Sequence, residues 1–128
     1  MSRIVLDASA VLAILNGEAG AEKLTPRLLS DSTISAVNLA EVQSKLVSRG
    51  LDPDDAWDAA IGPVHETESF TVEQARIAGD LVAQTRSLGL SFGDRACLAL
   101  GMALKAPVYT ADQSWKGLRL DVRIRFVR

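Results

Sequence analysis

The sequence predicts an α/β fold of three layers, in which a central, mainly parallel sheet lies between two layers of helices. Short apolar or β-branched segments alternate with segments that carry apolar residues at helical spacing, an order typical of parallel strands joined by helices. The inner strand segments are continuous apolar runs, as expected for strands covered on both faces. The chain has 128 residues without repeats, low-complexity tracts or linkers, so we expect a single domain that spans residues 1–128.

The first strand and the turn after it organise the predicted fold. Residues 3–6 form a strand that ends at Asp7, and an apolar helix over residues 10–15 follows at once. In parallel α/β folds, ligands bind outside the carboxyl ends of the strands, which is where this turn places the Asp7 carboxylate. Asp7 is therefore the first candidate site residue.

The other elements follow from residue spacing and from residues that begin or end helices. In the first half we expect a helix over residues 19–29, a short strand over 32–36, a helix over 37–49 that Gly50 ends, and a helix over 53–61. In the second half we expect a weak, less buried strand over 64–70, an amphipathic helix over 72–88, a buried helix over 91–104, a strand over 107–110 and a half-exposed edge strand over 122–127.

Composition limits the classes of protein that the chain can belong to. A net charge of -2 does not indicate a nucleic-acid binder, although a basic carboxyl-terminal segment could place positive potential beside an acidic site; its members are Lys116, Arg119, Arg123, Arg125 and Arg128. We expect that neutralising Arg123 and Arg125 would weaken the binding of any nucleic acid that this segment contacts. The one cysteine, Cys97, excludes an internal disulfide and fits a reducing cytosol. No apolar run approaches the ~18 residues of a membrane span, so we expect a cytoplasmic protein without membrane contact.

Four acidic residues fall at the carboxyl ends of the predicted strands. Asp7 ends the first strand, Glu41 lies in the first turns of the helix after the second, Asp94 lies in the first turn of the helix that Ser91 begins, and Asp112 follows the fourth strand. Each could have a local structural role instead. The Asn38/Glu41 and Ser91/Asp94 pairs have the spacing of capping boxes, and Asp7 and Asp112 could cap helices or turns.

Four acids on one edge of a sheet nevertheless indicate a cation site. Clustered carboxylates repel one another, so at neutral pH they either have raised pKa values or hold a cation. An all-oxygen set favours a hard cation such as Mg²⁺ or Mn²⁺ over Zn²⁺. Such a site suits phosphodiester hydrolysis. No Ser-His or Cys-His pair and no glycine-rich phosphate loop offers another chemistry, His65 is remote from the acids, and Cys97 is expected in the core.

Four segments carry a resemblance to a known family: residues 5–10 (VLDASA), 34–42 (ISAVNLAEV), 90–100 (LSFGDRACLAL) and 109–112 (YTAD). In this order and spacing they resemble the successive motifs of PIN-domain proteins, and in particular of the VapC ribonuclease toxins of bacterial toxin–antitoxin pairs. The resemblance covers essentially the whole chain, and its specificity lies in the set of motifs rather than in any one of them. It implies a PIN-like, Rossmann-like α/β/α fold.

The resemblance also implies an activity and a set of roles. It implies a Mg²⁺- or Mn²⁺-dependent endoribonuclease whose acidic quartet is Asp7, Glu41, Asp94 and Asp112. Asp7 and Asp94 would be the principal metal ligands, and the other two would complete the shell directly or through water.

By position, Ser9, Thr110 or Asn38 could orient a carboxylate or a water, and Ser9 could instead be only a helix N-cap. Arg95 could contact the scissile phosphate or pair with a neighbouring acid. Many relatives carry a basic residue directly after the last motif, where this chain has Gln113.

The implied partners are an RNA substrate and a cognate VapB-like antitoxin whose tail covers the acidic site, with a homodimer expected. Surface for a partner could come from the apolar first helix, Leu28-Leu29, Trp57 and Trp115, although both tryptophans could instead be buried in the core.

The alternative to an enzyme is a PIN domain retained as a catalytically silent binding scaffold, which loss of one acid would favour. A haloacid-dehalogenase-like phosphatase would place an acid where Ser9 stands, and a phospho-receiver domain would need a lysine after a late strand, so neither matches.

Overall fold

Five parallel strands form one sheet in the structure, a computed structural model that describes residues 2–127. The strand order is β3-β2-β1-β4-β5, and all four neighbouring pairs are parallel. The strands are β1 (Ile4–Leu6), β2 (Ser32–Ser35), β3 (Glu66–Glu68), β4 (Val108–Thr110) and β5 (Ile124–Phe126). All carboxyl ends therefore meet at one edge of the sheet, as the sequence predicts.

Helices pack on both faces of this sheet. They are α1 (Ala8–Leu15), α2 (Pro26–Leu29), α3 (Ala36–Ser48), α4 (Pro53–Ile61), α5 (Val72–Asp80), α6 (Val82–Thr85) and α7 (Phe92–Leu104), with 3₁₀ turns at Ala21–Lys23, Arg86–Leu88 and Gln113–Trp115. Ile4 and Leu6 of β1 contribute to one apolar core with α1, α3 and α4, whereas Val5 contributes to a second core with α7. Because neighbouring strand residues point to opposite faces, these two cores make the fold a three-layer α/β/α sandwich.

The central strand β1 fixes the position of the first candidate residue. All three residues of β1 are buried, and the strand pairs with β2 on one side and with β4 on the other. Asp7 follows directly, and its backbone N–H donates to the carbonyl of Tyr109 at 2.9 Å. The backbone around Asp7 is thus held by the middle of the sheet.

The predicted helix over residues 19–29 is not continuous. A 3₁₀ turn over Ala21–Lys23 is followed by a break, and α2 then begins at Pro26. The hydroxyl of Thr25 accepts from the backbone N–H of Leu28 and so caps the new helix. Proline has no N–H to donate to the preceding turn, and this explains why it begins a helix here instead of continuing one.

The predicted helix over residues 72–88 is also divided. It ends at Asp80, resumes as α6, and tightens into a 3₁₀ turn before Gly89, whose φ is 71°. The Thr85 hydroxyl donates to the carbonyl of Leu81 at 2.8 Å, within the tightened segment. A side chain that bonds to the backbone in this way competes with regular helix geometry.

The two outer strands agree with the sequence in character and are shorter than predicted. β3 is largely exposed, and β5 alternates half-buried and exposed residues, as expected at a sheet edge. Of the two tryptophans, Trp115 is buried and Trp57 on α4 is 43% exposed, so only Trp57 offers surface. No helix among residues 2–127 has the length and apolarity needed to cross a membrane.

Candidate active site

The Asp7 carboxylate is buried at the carboxyl edge of the sheet, where two hydroxyls hold it. Its Oδ2 accepts from Ser9 Oγ at 2.6 Å and from Thr110 Oγ1 at 3.0 Å. Asp7 occupies the N-cap position of α1 without a side-chain cap, so Ser9 lies inside the helix and is not its N-cap. Ser9 and Thr110 therefore orient this carboxylate, one of the roles that the sequence left open.

The same hydroxyls join the carboxyl ends of β1 and β4. Ser9 Oγ accepts from the backbone N–H of Ala111 at 2.9 Å, and Thr110 Oγ1 accepts from that of Asp112 at 3.0 Å. The two hydroxyl oxygens are 3.1 Å apart. The network thus fixes the start of the Asp112 loop relative to Asp7.

Glu41 is on α3, and its carboxylate is held by Asn38. Asn38 Nδ2 donates to Glu41 Oε1 at 2.8 Å and to the carbonyl of Gly93 at 2.9 Å, which links α3 to the first turn of α7. The N-cap of α3 is Ser35, whose hydroxyl accepts from Val37 N–H. The capping-box interpretation of Asn38 and Glu41 is therefore wrong, because both lie within the helix.

The absence of a side chain at Gly93 leaves room for the Glu41 carboxylate. A Cβ at position 93 would overlap both carboxylate oxygens of Glu41. A glycine is needed here because of this close approach and not because of its backbone conformation, since Gly93 has no positive φ. This contact is not among the sequence predictions, because no spacing along the chain indicates it.

Asp94 and Asp112 have local structural roles as well as site positions. Asp94 accepts from Ser91 N–H at 2.9 Å while the Ser91 hydroxyl accepts from Asp94 N–H at 3.2 Å, which completes the predicted capping box of α7. Asp112 caps a 3₁₀ turn by accepting from Ser114 N–H at 2.9 Å. Neither role excludes metal binding, since each carboxylate oxygen has more than one lone pair.

Electrostatic interactions join the four acids into one group. The pKa of Asp7 is raised from 3.8 to about 6: burial raises it most, the charges of Asp94 and Glu41 also raise it, and the bonds from Ser9 and Thr110 lower it. Burial also raises the pKa of Asp94; its bonds with Ser91 lower it, and Asp112 raises it. A buried carboxylate with such a pKa lacks a compensating positive charge.

A cation and a thiol interact with this group of acids. Lys45, one turn after Glu41 on α3, lowers the pKa of Asp94. Lys45 is not among the residues predicted for the site, although its spacing from Glu41 places both on one helix face. Cys97 is fully buried, and its pKa is raised well above 9.0, first by burial and then by Asp7, Asp94 and Glu41, so it stays a neutral core thiol.

The donor chemistry fits a hard divalent cation. The candidate donors are carboxylate oxygens, and the side-chain oxygen of Asn38, beside Glu41, is buried without a hydrogen-bond partner among residues 2–127. The spacing is open: within the described part of the chain, no three Asp, Glu, His or Cys side chains lie close enough together to hold a metal ion. Mutual repulsion of like charges favours such an open arrangement, and a cation would oppose it. Asp7, Asp94, Glu41 and Asp112 stay the candidate ligands for such a cation.

Within residues 2–127, Arg95 does not pair with a neighbouring acid, and its contact with a scissile phosphate stays a prediction. Its Nη1 donates to the carbonyl of Ala78 at 2.8 Å, and its guanidinium lies over the ring of Phe92 at 5.8 Å from the centroid. It therefore ties α7 to the end of α5.

Comparison with protein families gives a match to the PIN domain over residues 4–119. The chain belongs to the PIN domain family. This confirms the resemblance drawn from the four segments. The matched range contains all four acids, and the final strand of the fold lies beyond it. A comparison with curated proteins gives no match.

Several solved structures share the fold of this PIN domain at low sequence identity. A DNA-bound VapBC complex from Salmonella typhimurium matches with a TM-score of 0.76 at 16% identity, covering 100% of both chains. VapBC2 from Rickettsia felis, bound to a promoter DNA fragment, matches with a TM-score of 0.74 at 18% identity, covering 96% of this chain and 97% of that one. VapC20 from Mycobacterium tuberculosis, described as a toxin that cleaves the sarcin-ricin loop, matches with a TM-score of 0.73 at 22% identity, covering 94% of this chain and 98% of that one.

Proposed function

We propose that this PIN domain is a divalent-metal-dependent endoribonuclease that acts in the cytoplasm as the toxin of a toxin–antitoxin pair, with residues 1–128 as one catalytic unit. The observation that supports it most is the buried Asp7 carboxylate, whose pKa of about 6 reflects burial together with the charges of Asp94 and Glu41. A bound cation would offset the repulsion among the clustered carboxylates, and a divalent metal can also catalyse the hydrolysis of a phosphodiester.

The four acids have different proposed roles in metal binding. We assign Asp7 and Asp94 as the principal ligands of Mg²⁺ or Mn²⁺, and Glu41 and Asp112 as ligands that complete the shell directly or through water. When bound, the metal would activate a water for attack on phosphorus and stabilise the leaving oxygen. The hydroxyls of Ser9 and Thr110 hold Asp7 Oδ2 in place, and the Asn38 amide holds the Glu41 carboxylate in place. These hydrogen bonds fix the orientation of the carboxylate oxygens that would bind the metal.

An antitoxin and a second copy of the chain are the proposed protein partners. Neighbours that share this fold include VapBC complexes, some of them bound to DNA. By that likeness we propose a VapB-like antitoxin whose tail covers the acidic site, and a homodimer of the toxin. Trp57, which is 43% exposed on α4, supports the presence of surface for such contacts.

Cleavage of RNA by the purified full chain, freed of any partner, tests this function. Total cellular RNA would be incubated with Mg²⁺ or Mn²⁺, with chelator, and with the Asp94→Asn variant. The matched control is Asp58→Asn, which removes an exposed carboxylate from α4. Discrete fragments that require metal and Asp94 but not Asp58 would establish the activity and reveal the target.

Two outcomes would contradict the proposal in different ways. Undiminished cleavage by a folded Asp94→Asn variant would reject the assigned site. Absence of cleavage by a protein that still binds the metal and a variety of RNAs would favour the scaffold alternative, in which the PIN domain binds without catalysis.

A further inference from the structure

Two of the three phenylalanines of the chain meet beside the candidate site. Phe92 is the first residue of α7, and Phe70 follows the carboxyl end of β3. Their rings pack edge to face, with centroids 5.6 Å apart and planes at 90°. Phe92 is 50% exposed although it packs against an aromatic neighbour, so part of its ring is available to a ligand.

The Phe92 ring is fixed without being covered. The Arg95 guanidinium lies 5.8 Å from its centroid and is itself held by the bond from Nη1 to the Ala78 carbonyl. Phe70 and Arg95 therefore restrict the orientation of the ring, while half of its surface remains in contact with water. A ring held in this way loses little conformational freedom when a flat ligand stacks on it.

The position of Phe92 relative to the acids indicates what that ligand is. Gly93, the next residue, contacts the Glu41 carboxylate, and Asp94 follows directly. The ring therefore stands one residue from the Glu41 contact and two residues from Asp94, beside acids that would face the phosphate of a bound strand. Lys45, which interacts with Asp94, supplies a positive charge that attracts phosphate.

We propose that Phe92, supported by Phe70 and Arg95, is a stacking platform for a base of single-stranded RNA next to the phosphate that is cleaved. The proposal rests on the proposed function, since it takes RNA as the substrate. Aromatic side chains stack on every base because every base has a π-face, so this contact adds affinity and position with little sequence preference. Arg95 acts as a positioning residue for the ring, by way of its contact with Phe92.

Equilibrium binding of short RNA strands to the full chain tests the platform without relying on cleavage. The probes are a fluorescein-labelled oligoadenylate of about 10 nucleotides, within the usual site sizes for such contacts, and an abasic strand of the same length and charge. Both would be titrated in chelator at low salt against the parent protein, Phe92→Leu, Phe92→Trp and the control Trp57→Leu, which removes an exposed aromatic ring from α4. Thermal unfolding of each variant checks that it is folded.

Loss of the ring should weaken oligoadenylate binding by at least about 5-fold, the lower end of what one stacked base contributes. Binding of the abasic strand should not change, and Phe92→Trp and Trp57→Leu should bind both strands as the parent does. Equal binding of oligoadenylate by Phe92→Leu and parent would overturn the platform and assign the exposed ring to contact with a protein partner. Failure of the parent to bind either strand would overturn the RNA substrate as well, and with it both proposals.

Discussion

The carboxylate of Glu41 lies against the α-carbon of Gly93, in the space that a side chain at position 93 would fill. The carboxylate is the far end of a flexible side chain, so a Cβ at position 93 would displace it at small cost to the fold. The displaced carboxylate would also move away from the Asn38 amide that holds it at 2.8 Å. Gly93 is therefore a position where function and stability should respond differently to the same substitution.

Gly93→Ala should reduce RNA cleavage by at least about 10-fold, the effect of losing about 1.4 kcal/mol of transition-state stabilisation. Its unfolding free energy should stay within about 1 kcal/mol of the parent, since alanine is the better helix former by up to that amount. Gly79→Ala is the control, because its Cβ would meet nothing within 4 Å on α5. Equal cleavage by Gly93→Ala and Gly79→Ala would reject a role for the position of Glu41.

The raised pKa of Asp7 predicts an unusual dependence of stability on pH. In the absence of divalent metal the folded chain binds the Asp7 proton more tightly than the unfolded chain, because the pKa of Asp7 rises from 3.8 to about 6 on folding. The contribution of Asp7 to stability is therefore fully present below about pH 4, and it is lost as pH rises from about 4 to about 6. The raised pKa of Asp94 acts in the same direction.

Asp7→Asn should remove much of this pH dependence. In chelator at pH 7 its unfolding free energy should exceed that of the parent, by up to about 3 kcal/mol for a shift of about two pKa units. Urea denaturation from pH 4 to pH 8 measures this, with the exposed Asp58→Asn as control. A variant less stable than the parent across the whole range would show that the Asp7 carboxylate is stabilising, contrary to this account.

Divalent metal should stabilise the parent more than it stabilises Asp7→Asn or Asp94→Asn. The parent should gain about 1.4 kcal/mol when the metal concentration is ten times the dissociation constant. Asp7→Asn and Asp94→Asn should gain less at that concentration, because each lacks a principal ligand. Thermal unfolding with and without Mg²⁺ or Mn²⁺ gives the comparison. Equal stabilisation of parent and both variants would place the bound metal elsewhere on the protein.

Lys45 and Arg123 have different surroundings. Lys45 interacts with Asp94, whereas Arg123 lines a cavity of about 560 Å³ with Lys105 and Pro107 at the amino end of β4. Lys45→Gln should therefore weaken RNA binding and reduce the slope of log affinity against log salt by about 0.7, as for one phosphate contact on a single strand. Arg123→Gln should leave both unchanged. A larger effect at Arg123 would instead support the expectation from the sequence that the basic carboxyl-terminal segment contributes to RNA binding.

The sequence was sufficient to predict the elements that depend on local signals. Strand ends followed by an acid placed Asp7 and Asp112 at the carboxyl edge, and the Ser91/Asp94 spacing predicted a capping box that the structure contains. Parallel order followed from the alternation of strands and helices, and every strand pairing is parallel. These features depend on neighbours along the chain or on topology alone.

The sequence could not predict contacts between residues that are far apart along the chain. Asn38 reaches the Gly93 carbonyl across 55 positions, and Arg95 reaches Ala78 across 17. Both depend on how α3, α5 and α7 pack. A long polar side chain such as that of Arg95 has several acceptors within reach, and packing decides which one it meets. The division of the helix over residues 72–88 is a similar case, since the Thr85 hydroxyl has a choice of acceptors.

The hydrogen bond between Thr110 and Asp7 spans 103 positions of the chain. Asp7 and Ser9 therefore emerge from the ribosome well before Thr110 and Asp112. Until β4 has paired with β1, a growing chain carries only part of the proposed nuclease site. For the toxin that we propose, the order in which these residues are synthesised would delay assembly of the site until β4 has been made.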